Sequence, residues 1–406
     1  MGLIVQKFGG TSVADAERIR SVAGRIVNTR QAGHDVVVVV SARGDTTDKL
    51  YALAYEISPN PPKRELDMLV ATGEQESIAL VAMAIHALGY DAVSFTAAQV
   101  GIYTDDVHQK ASIRRISPDR VQRELAKGKI VIIAGFQGID PDDNITTLGR
   151  GGSNTSAVAI AAVLKADVCE NFTDVDGVYT ADPRIVPDAR KIDSISYDEM
   201  LELASLGAQV LQSRALEFAK KFKVPIHVRS SFTDTAGTII CEEVEAMEQV
   251  VVRGVALARD EAKITVQGVP DVPGVAAKIC TALAKRNINM DMIIQNATLT
   301  GTTDFTFTVL ESDFDDALEA VEKLRAELGA AGIISDKNIA KVSVVGVGMR
   351  SHSGVAQTMF TALADAGINI QMISTSEIKI SCVIDEPSGE DAVRVIHKAF
   401  KLDREP

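Results

Sequence analysis

The last third of the chain repeats itself, and this restricts the fold more than any single motif does. Ala262-Lys263-Ile264-Thr265-Val266-Gln267-Gly268-Val269 is matched by Ala340-Lys341-Val342-Ser343-Val344-Val345-Gly346-Val347, 78 positions on. Thr281-Ala282-Leu283-Ala284 and Asn287-Ile288-Asn289-Met290-Asp291-Met292-Ile293 return 80 positions on as Thr361-Ala362-Leu363-Ala364 and Gly367-Ile368-Asn369-Ile370-Gln371-Met372-Ile373. Two copies of one small module are present. Each copy reads strand, turn with Pro or Gly, helix, strand, strand, helix, the ferredoxin-like order. Neither holds a nucleophile and base, so the pair is expected to sense a ligand; the alternative is a dimerisation module without one.

The first 230 or so residues follow a different plan, with apolar strand runs alternating with helical periodicity, the mark of a mainly parallel sheet covered on both faces. Strands are expected at 3–5, 36–40, 91–95, 129–134 and 168–172, and helices from about 13, at 64–88, 119–127 and 154–165. On the first helix Val13, Ala16, Ile19, Ala23, Ile26 and Val27 share one face. Open α/β sheets place ligands at the carboxyl ends of their strands. Here those ends carry Lys7-Phe8-Gly9-Gly10-Thr11-Ser12, Gly135-Phe136-Gln137-Gly138 and Thr173-Asp174-Val175-Asp176-Gly177. A further cluster, Gly149-Arg150-Gly151-Gly152-Ser153, opens a helix. Lys7 to Ser12 has two readings: a phosphate cradle in which Thr11 or Ser12 caps the next helix, or a tight turn with a solvated lysine.

At 406 residues the chain is long enough for two or three domains. A net charge of -13 argues against a nucleic-acid or anionic-membrane surface, so phosphate binding has to be local. No apolar run approaches membrane-spanning length, and the amino terminus shows no signal-peptide pattern. Cys169, Cys241, Cys280 and Cys382 lack metal-ligand spacing and read as reduced structural thiols, which makes the expected location cytoplasmic. No metal site is expected, and the six histidines are scattered without triad spacing.

Taken in order, these motifs with Val40-Ser41-Ala42, Thr72-Gly73-Glu74, Asp182-Pro183-Arg184 and Ser374-Thr375-Ser376-Glu377 give a chain that resembles the aspartate kinases over its whole length. The resemblance implies an α/β, three-layer amino-acid-kinase fold with a mainly parallel sheet over 1–245. Two ferredoxin-like (βαββαβ) ACT domains follow at 262–338 and 339–406. It also implies transfer of the γ-phosphoryl of ATP, with Mg2+ held mainly through the nucleotide phosphates, to the side-chain carboxylate of L-aspartate. By resemblance, Lys7 and position 154 are catalytic. Lys7, Phe8, Gly9, Gly10, Gly151, Gly152, Thr173, Asp174, Tyr179, Arg184, Gln209 and Val210 belong to the nucleotide. Ser41, Thr47, Glu74, Phe136, Arg150 and Ser153 belong to aspartate, with Arg150 suited to clamp a carboxylate in bidentate fashion and Glu74 suited to the amino group.

In the repeats the resemblance points to an effector site. Asp271, Gly274, Val275, Ala276, Asn289, Asp291 and Gln295 come from the first module, and Asn369, Ile370, Ser374, Thr375, Ser376 and Glu377 from the second. Lysine, threonine or both are the implied inhibitors. The implied assembly is a homo-oligomer through the ACT domains, or a complex with a separate ACT-only subunit. Four positions depart from the family pattern: Asn154 stands in place of an aspartate, Gln209 of a lysine, Arg43 of a methionine, and Ser353 of a proline. Asn154 and Gln209 keep a second reading open, a weakly active or non-catalytic regulatory homologue. A nicotinamide dehydrogenase is disfavoured, since no G-x-G-x-x-G follows a strand.

Overall fold

The computed structural model describes residues 2–206, 211–242, 251–296, 301–350, 352 and 354–404. The chain forms two compact units: Met1–Val178 with Lys191–Ala246, and Tyr179–Arg190 with Met247–Pro406.

The N-terminal unit is built on an eight-stranded sheet. Its order is Ser194–Ser196, Thr238–Cys241, Ile226–Ser230, Val168–Thr173, Leu3–Phe8, Asp35–Val40, Ile130–Ala134, Ala92–Phe95. Every pairing is parallel except that of Ile226–Ser230 with Thr238–Cys241. Val36 to Val40 are all buried because both faces are covered, which explains an unbroken β-branched run. Helices Ala16–Gln31 and Thr72–Ala87 pack on the face formed by Phe8, Val36, Val38, Val40, Ile132 and Phe172. Helix Gly152–Leu164 lies against the strands Leu3–Phe8 and Asp35–Val40 on the Val39 side. Three layers result.

Two local expectations are corrected. The first helix begins at Ala16, and its cap is Asp15, whose carboxylate accepts the N–H of Arg18 at 2.9 Å. A short 3-10 turn, Gly10–Val13, intervenes, so neither Thr11 nor Ser12 is the cap and Ala16 is exposed. The expected helix at 64–88 is two helices, Lys63–Val70 and Thr72–Ala87, meeting at Ala71. The stretch Lys63–Ala87 does reach the length and apolarity of a membrane span, contrary to the sequence reading. Half of its apolar window is buried, with Leu66, Val70, Ile78, Val81 and Ile85 inside the protein. A second, four-stranded sheet, Ile113–Ile116, Ile102–Thr104, Gln137–Ile139 and Ile145–Thr147, was not anticipated, because its strands are three or four residues long.

In the C-terminal unit the first repeat is a complete βαββαβ module with strand order Ile293–Gln295, Thr302–Leu310, Glu261–Pro270, Gly332–Asp336. The second repeat departs from that pattern. Its sheet runs Gly254–Ala258, Ile339–Val345, Lys379–Asp385, Met372–Thr375, so the fourth place is filled by a strand that precedes the first repeat. After helix Gly389–Ala399 the described residues hold only a turn. The first repeat is therefore an insertion within the second. Tyr179–Arg190, which lies in sequence within the expected 1–245 domain, packs with this unit. Ala181 and Val186 sit in one apolar cluster with Val255, Met359 and Ile396, and the carbonyl of Thr180 accepts the N–H of Val255 at 2.8 Å.

The repeats hold each other by reciprocal contacts. Buried Lys341 of the second repeat pairs with Glu261 and Asp291 of the first. At the corresponding positions with the roles exchanged, Lys263 of the first repeat bonds Gln371 of the second. Met292 and Met372, also repeat equivalents, share a cluster with Ile339 and Val383. Burial works against the Lys341 cation, but Glu261 and Asp291 outweigh it and hold the ammonium above its ordinary range. Removing one partner from a buried pair strands the other charge. Lys341→Met is expected to cost the C-terminal unit about 3 kcal/mol in urea denaturation. Adding Glu261→Leu should recover most of that, whereas a loss below about 1 kcal/mol would show that the bridge contributes little.

Candidate active site

Parallel pairing brings the carboxyl ends of five strands to one edge. Lys7 is in register with Val39 on one side and Asn171 on the other, so the ends at Gly9, Ser41, Gly135, Asp174 and Ser231 are neighbours in the order of the sheet. Phe8 and Phe172 stack beneath them, rings 4.7 Å apart.

The glycine pair is needed for close approach rather than for unusual torsion angles. Gly9 has φ -71°. A Cβ on Gly10 would stand 2.7 Å from the carbonyl oxygen of Ala42, and one on Gly9 would stand 3.5 Å from the Lys7 ammonium. Lys7 therefore folds over the turn. Burial lowers its pKa to about 8, while Cys169 and Asp174 pull the other way. Ser12 and Ser231 tie this turn to the end of Ile226–Ser230, the next strand but one, their hydroxyls 2.5 Å apart.

The second glycine turn lies at the start of helix Gly152–Leu164. Gly151 takes φ +70°, where a side chain would collide with Gln212, and no side chain among the described residues caps the helix. Gly152 packs beneath Phe136: a Cβ there would lie 2.9 Å from the ring. Phe136 itself has φ +67°, an uncommon angle for a bulky residue, and is held by its N–H to Ser156 at 3.2 Å and by its carbonyl to the N–H of Leu148 at 2.8 Å. Ser153 is buried against Gly135, while Arg150 is exposed.

Glu74 enters from the first turn of helix Thr72–Ala87. Its Oε1 accepts the N–H of Ala42 at 3.0 Å, directly after the strand that ends at Val40. Only 2% of the residue is exposed, and burial pushes its pKa up to about 8 against the pull of the Ala42 hydrogen bond. Ser41 and Thr47 are half-buried in the adjoining loop and helix, and Arg43 spans to Glu76 at 3.0 Å. Three buried polar atoms here have no hydrogen-bond partner among the described residues: Glu74 Oε2, Asn154 Oδ1 and Asn171 Nδ2. Unpaired polar atoms are costly in a protein interior, so each of these calls for a partner such as ordered water or a polar ligand.

Other expected residues lie elsewhere. Thr173 bonds Asp174 at 3.0 Å at the strand end, but Tyr179 and Arg184 belong to the C-terminal unit, where Arg184 forks onto Asp182 at 2.7–3.1 Å. Gln209, Val210 and Ser353 fall outside the described residues. Of the effector residues, Gly274 starts a helix at φ +101°, followed by Val275 and Ala276, and Asp271 donates its N–H to Gly301 at 3.0 Å. Asn289 and Asn369 are exposed and Ile370 half-buried. Gln295 lies on one edge strand, Ser374 and Thr375 on the other, with Ser376 and Glu377 in the turn beyond. Asp291 is engaged by Lys341. Two buried residues were not foreseen: Asn171, hidden inside a strand, and Asp67, whose signal was a carboxylate between Leu66 and Val70 on an apolar helix face.

Known proteins resemble the chain throughout. The amino acid kinase family model matches residues 2–230, and ACT domain models match 263–329 and 342–400. An aspartate kinase of Stutzerimonas stutzeri (strain A1501) is 56% identical over 404 residues, 99% of this chain and 98% of that protein. Two crystal structures of E. coli aspartokinase III superpose over 98% of this chain and 99% of theirs. One, in complex with aspartate and ADP, has a TM-score of 0.82 at 27% identity; the other, with lysine and aspartate, has 0.77 at 26%. With a parallel-sheet domain bearing two glycine turns and two ACT modules in matching order, this chain belongs to the aspartokinases of the amino acid kinase family.

Proposed function

We propose that the chain transfers the γ-phosphoryl group of ATP to the side-chain carboxylate of L-aspartate, giving 4-phospho-L-aspartate. The reading is carried by two titratable groups at the strand ends: a buried lysine, Lys7, at the first glycine turn, and a buried carboxyl group, Glu74, with one oxygen unpaired among the described residues. An anion and an ammonium group are what these two would accept. Phosphoryl transfer asks for positioning and charge neutralisation more than for covalent help. The aspartate side chain, with a pKa of about 4, needs no general base.

In this reading Lys7 and the amides of the first glycine turn neutralise the transferring oxygens, and the Gly151-Gly152 turn with its helix start holds nucleotide phosphates. Glu74 and Ser41 take the amino acid's ammonium side, and Arg150 its carboxylate. Thr173 and Asp174 belong to the nucleotide, as do Tyr179 and Arg184 by family resemblance. Mg2+, when bound, adds neutralising charge. Location in the cytoplasm accords with the four free thiols. The ACT modules are read as the site where lysine, threonine or both inhibit, a reading supported by the lysine complex of E. coli aspartokinase III.

Purified protein incubated with Mg-ATP, L-aspartate and hydroxylamine should yield aspartyl hydroxamate, and added lysine or threonine should reduce it. Binding of ATP and aspartate without hydroxamate would favour a non-catalytic homologue.

Position 154 sets a second test. The buried Asn154 Oδ1 keeps an acceptor toward the phosphate side but lacks the charge that would draw the Lys7 ammonium into place. Asn154→Asp should raise kcat about tenfold, the scale of one charge-assisted contact, with KM for ATP little changed. An unchanged kcat would remove Asn154 from the orienting role.

A third follows from Glu74. With its pKa at about 8 the free enzyme carries it protonated at pH 7, and an ammonium beside it would favour the carboxylate. Aspartate binding at pH 7 should then release about one proton, measured by calorimetry in buffers of different ionisation heat. Release should fade as pH rises above 8 and vanish in Glu74→Gln; proton-neutral binding would place the ammonium elsewhere.

A further inference from the structure

Asp67 is fully buried, yet no part of the proposed chemistry uses it. Its carboxylate gathers three partners from two segments. Oδ1 accepts the hydroxyl of Thr147 at 2.6 Å, and Oδ2 accepts the N–H of Gln109 at 3.1 Å with His108 Nδ1 at 2.7 Å. Thr147 is the last residue of strand Ile145–Thr147, three positions before Arg150.

The same two segments meet again above it. Gly149, at φ +78°, lies so close to Gln109 that a Cβ would stand 2.9 Å from its carbonyl oxygen. The carbonyl of Thr147 accepts the N–H of Ala111 at 2.9 Å. Arg214 closes the network by donating to the carbonyls of Leu148 at 3.1 Å and Ala111 at 2.7 Å. Arg150 is exposed and has no such tie among the described residues, so there its position is set by the turn that carries it. A carboxylate with several donors is a rigid node, because each bond is charge-assisted and Asp67 itself is fully buried.

We propose that Asp67 is a positioning residue for substrate binding: it pins the root of the Gly149-Arg150 corner, while Gln212 and Phe136 pack on Gly151 and Gly152, and so holds Arg150 where the carboxylate of the amino-acid substrate is clamped. This rests on the reading of Arg150 as that clamp. The partners of Asp67 are Thr147, Gln109 and His108, so in this proposal it acts through the turn. Binding of aspartate should suffer more than turnover.

Steady-state kinetics of the full chain test this with Asp67→Asn, Arg150→Ala and the double variant. Asp67→Asn is expected to raise KM for aspartate about tenfold, the scale of one charge-assisted hydrogen bond, with kcat and KM for ATP changed less than about twofold. Arg150→Ala should raise KM for aspartate at least as much, and the double variant should be no worse than Arg150→Ala alone, since the two act in series. Multiplying effects, or an unchanged KM in Asp67→Asn, would overturn the proposal. An unchanged KM in Arg150→Ala would instead overturn the reading of Arg150 itself. If Asp67→Asn does not fold, Thr147→Val, which removes one bond of the same node, should raise KM for aspartate about threefold, and Thr147→Ser should restore it. Equal KM values for those two variants would count against Asp67 as the pin.

Discussion

The parallel pairing of Leu3–Phe8 between Asp35–Val40 and Val168–Thr173 is the constraint on which the site depends. Parallel register puts every strand's carboxyl end on the same edge, so one alignment places Lys7, Ser41 and Asp174 together although they are far apart in sequence. A one-residue slip in that register would turn Lys7 to the other face of the sheet. The unbroken valine run and the stacked Phe8 and Phe172 make such a slip costly, since they fix which side chains meet the helices on each side.

Burial then converts ordinary side chains into tuned ones. Glu74 is pushed up and Lys7 down, both to about 8, by the same loss of water. Opposite in sign, the two shifts narrow the gap between acid and base and leave each group responsive to whatever charge arrives beside it. Substrate and nucleotide supply the missing partner charges in the proposed reaction, so the interior that penalises both groups when free is the one that strengthens their contacts when bound.

Much of this was legible in the sequence because it obeys short-range rules. The valine run announced a doubly covered strand, the glycine clusters announced close backbone approach, and a near-constant offset of 78 to 80 announced two copies of one module. What stayed hidden depends on partners distant in the chain. No local signal says that Gly254–Ala258 completes a sheet whose other strands begin 81 residues later, at Ile339. Asp15 displaced Thr11 and Ser12 as helix cap because the glycine pair is followed by a tight turn that the helical periodicity could not distinguish from the helix itself. Asp67 carries no local signal of its role, because its partners Thr147 and Gln109 lie 80 and 42 positions away.

The excursion Tyr179–Arg190 has a bearing on how such a protein can be dissected. This segment begins and ends in the N-terminal unit's stretch of sequence, yet Ala181 and Val186 are covered by residues of the C-terminal one, and Thr180 is bonded to Val255 and His397 there. Cutting the chain once between the kinase region and the repeats would strip that cover and leave apolar surface bare on the shortened piece. Gene fusion or splitting at that point is thus not a neutral operation, and the boundary between the two units is drawn in space rather than at one peptide bond.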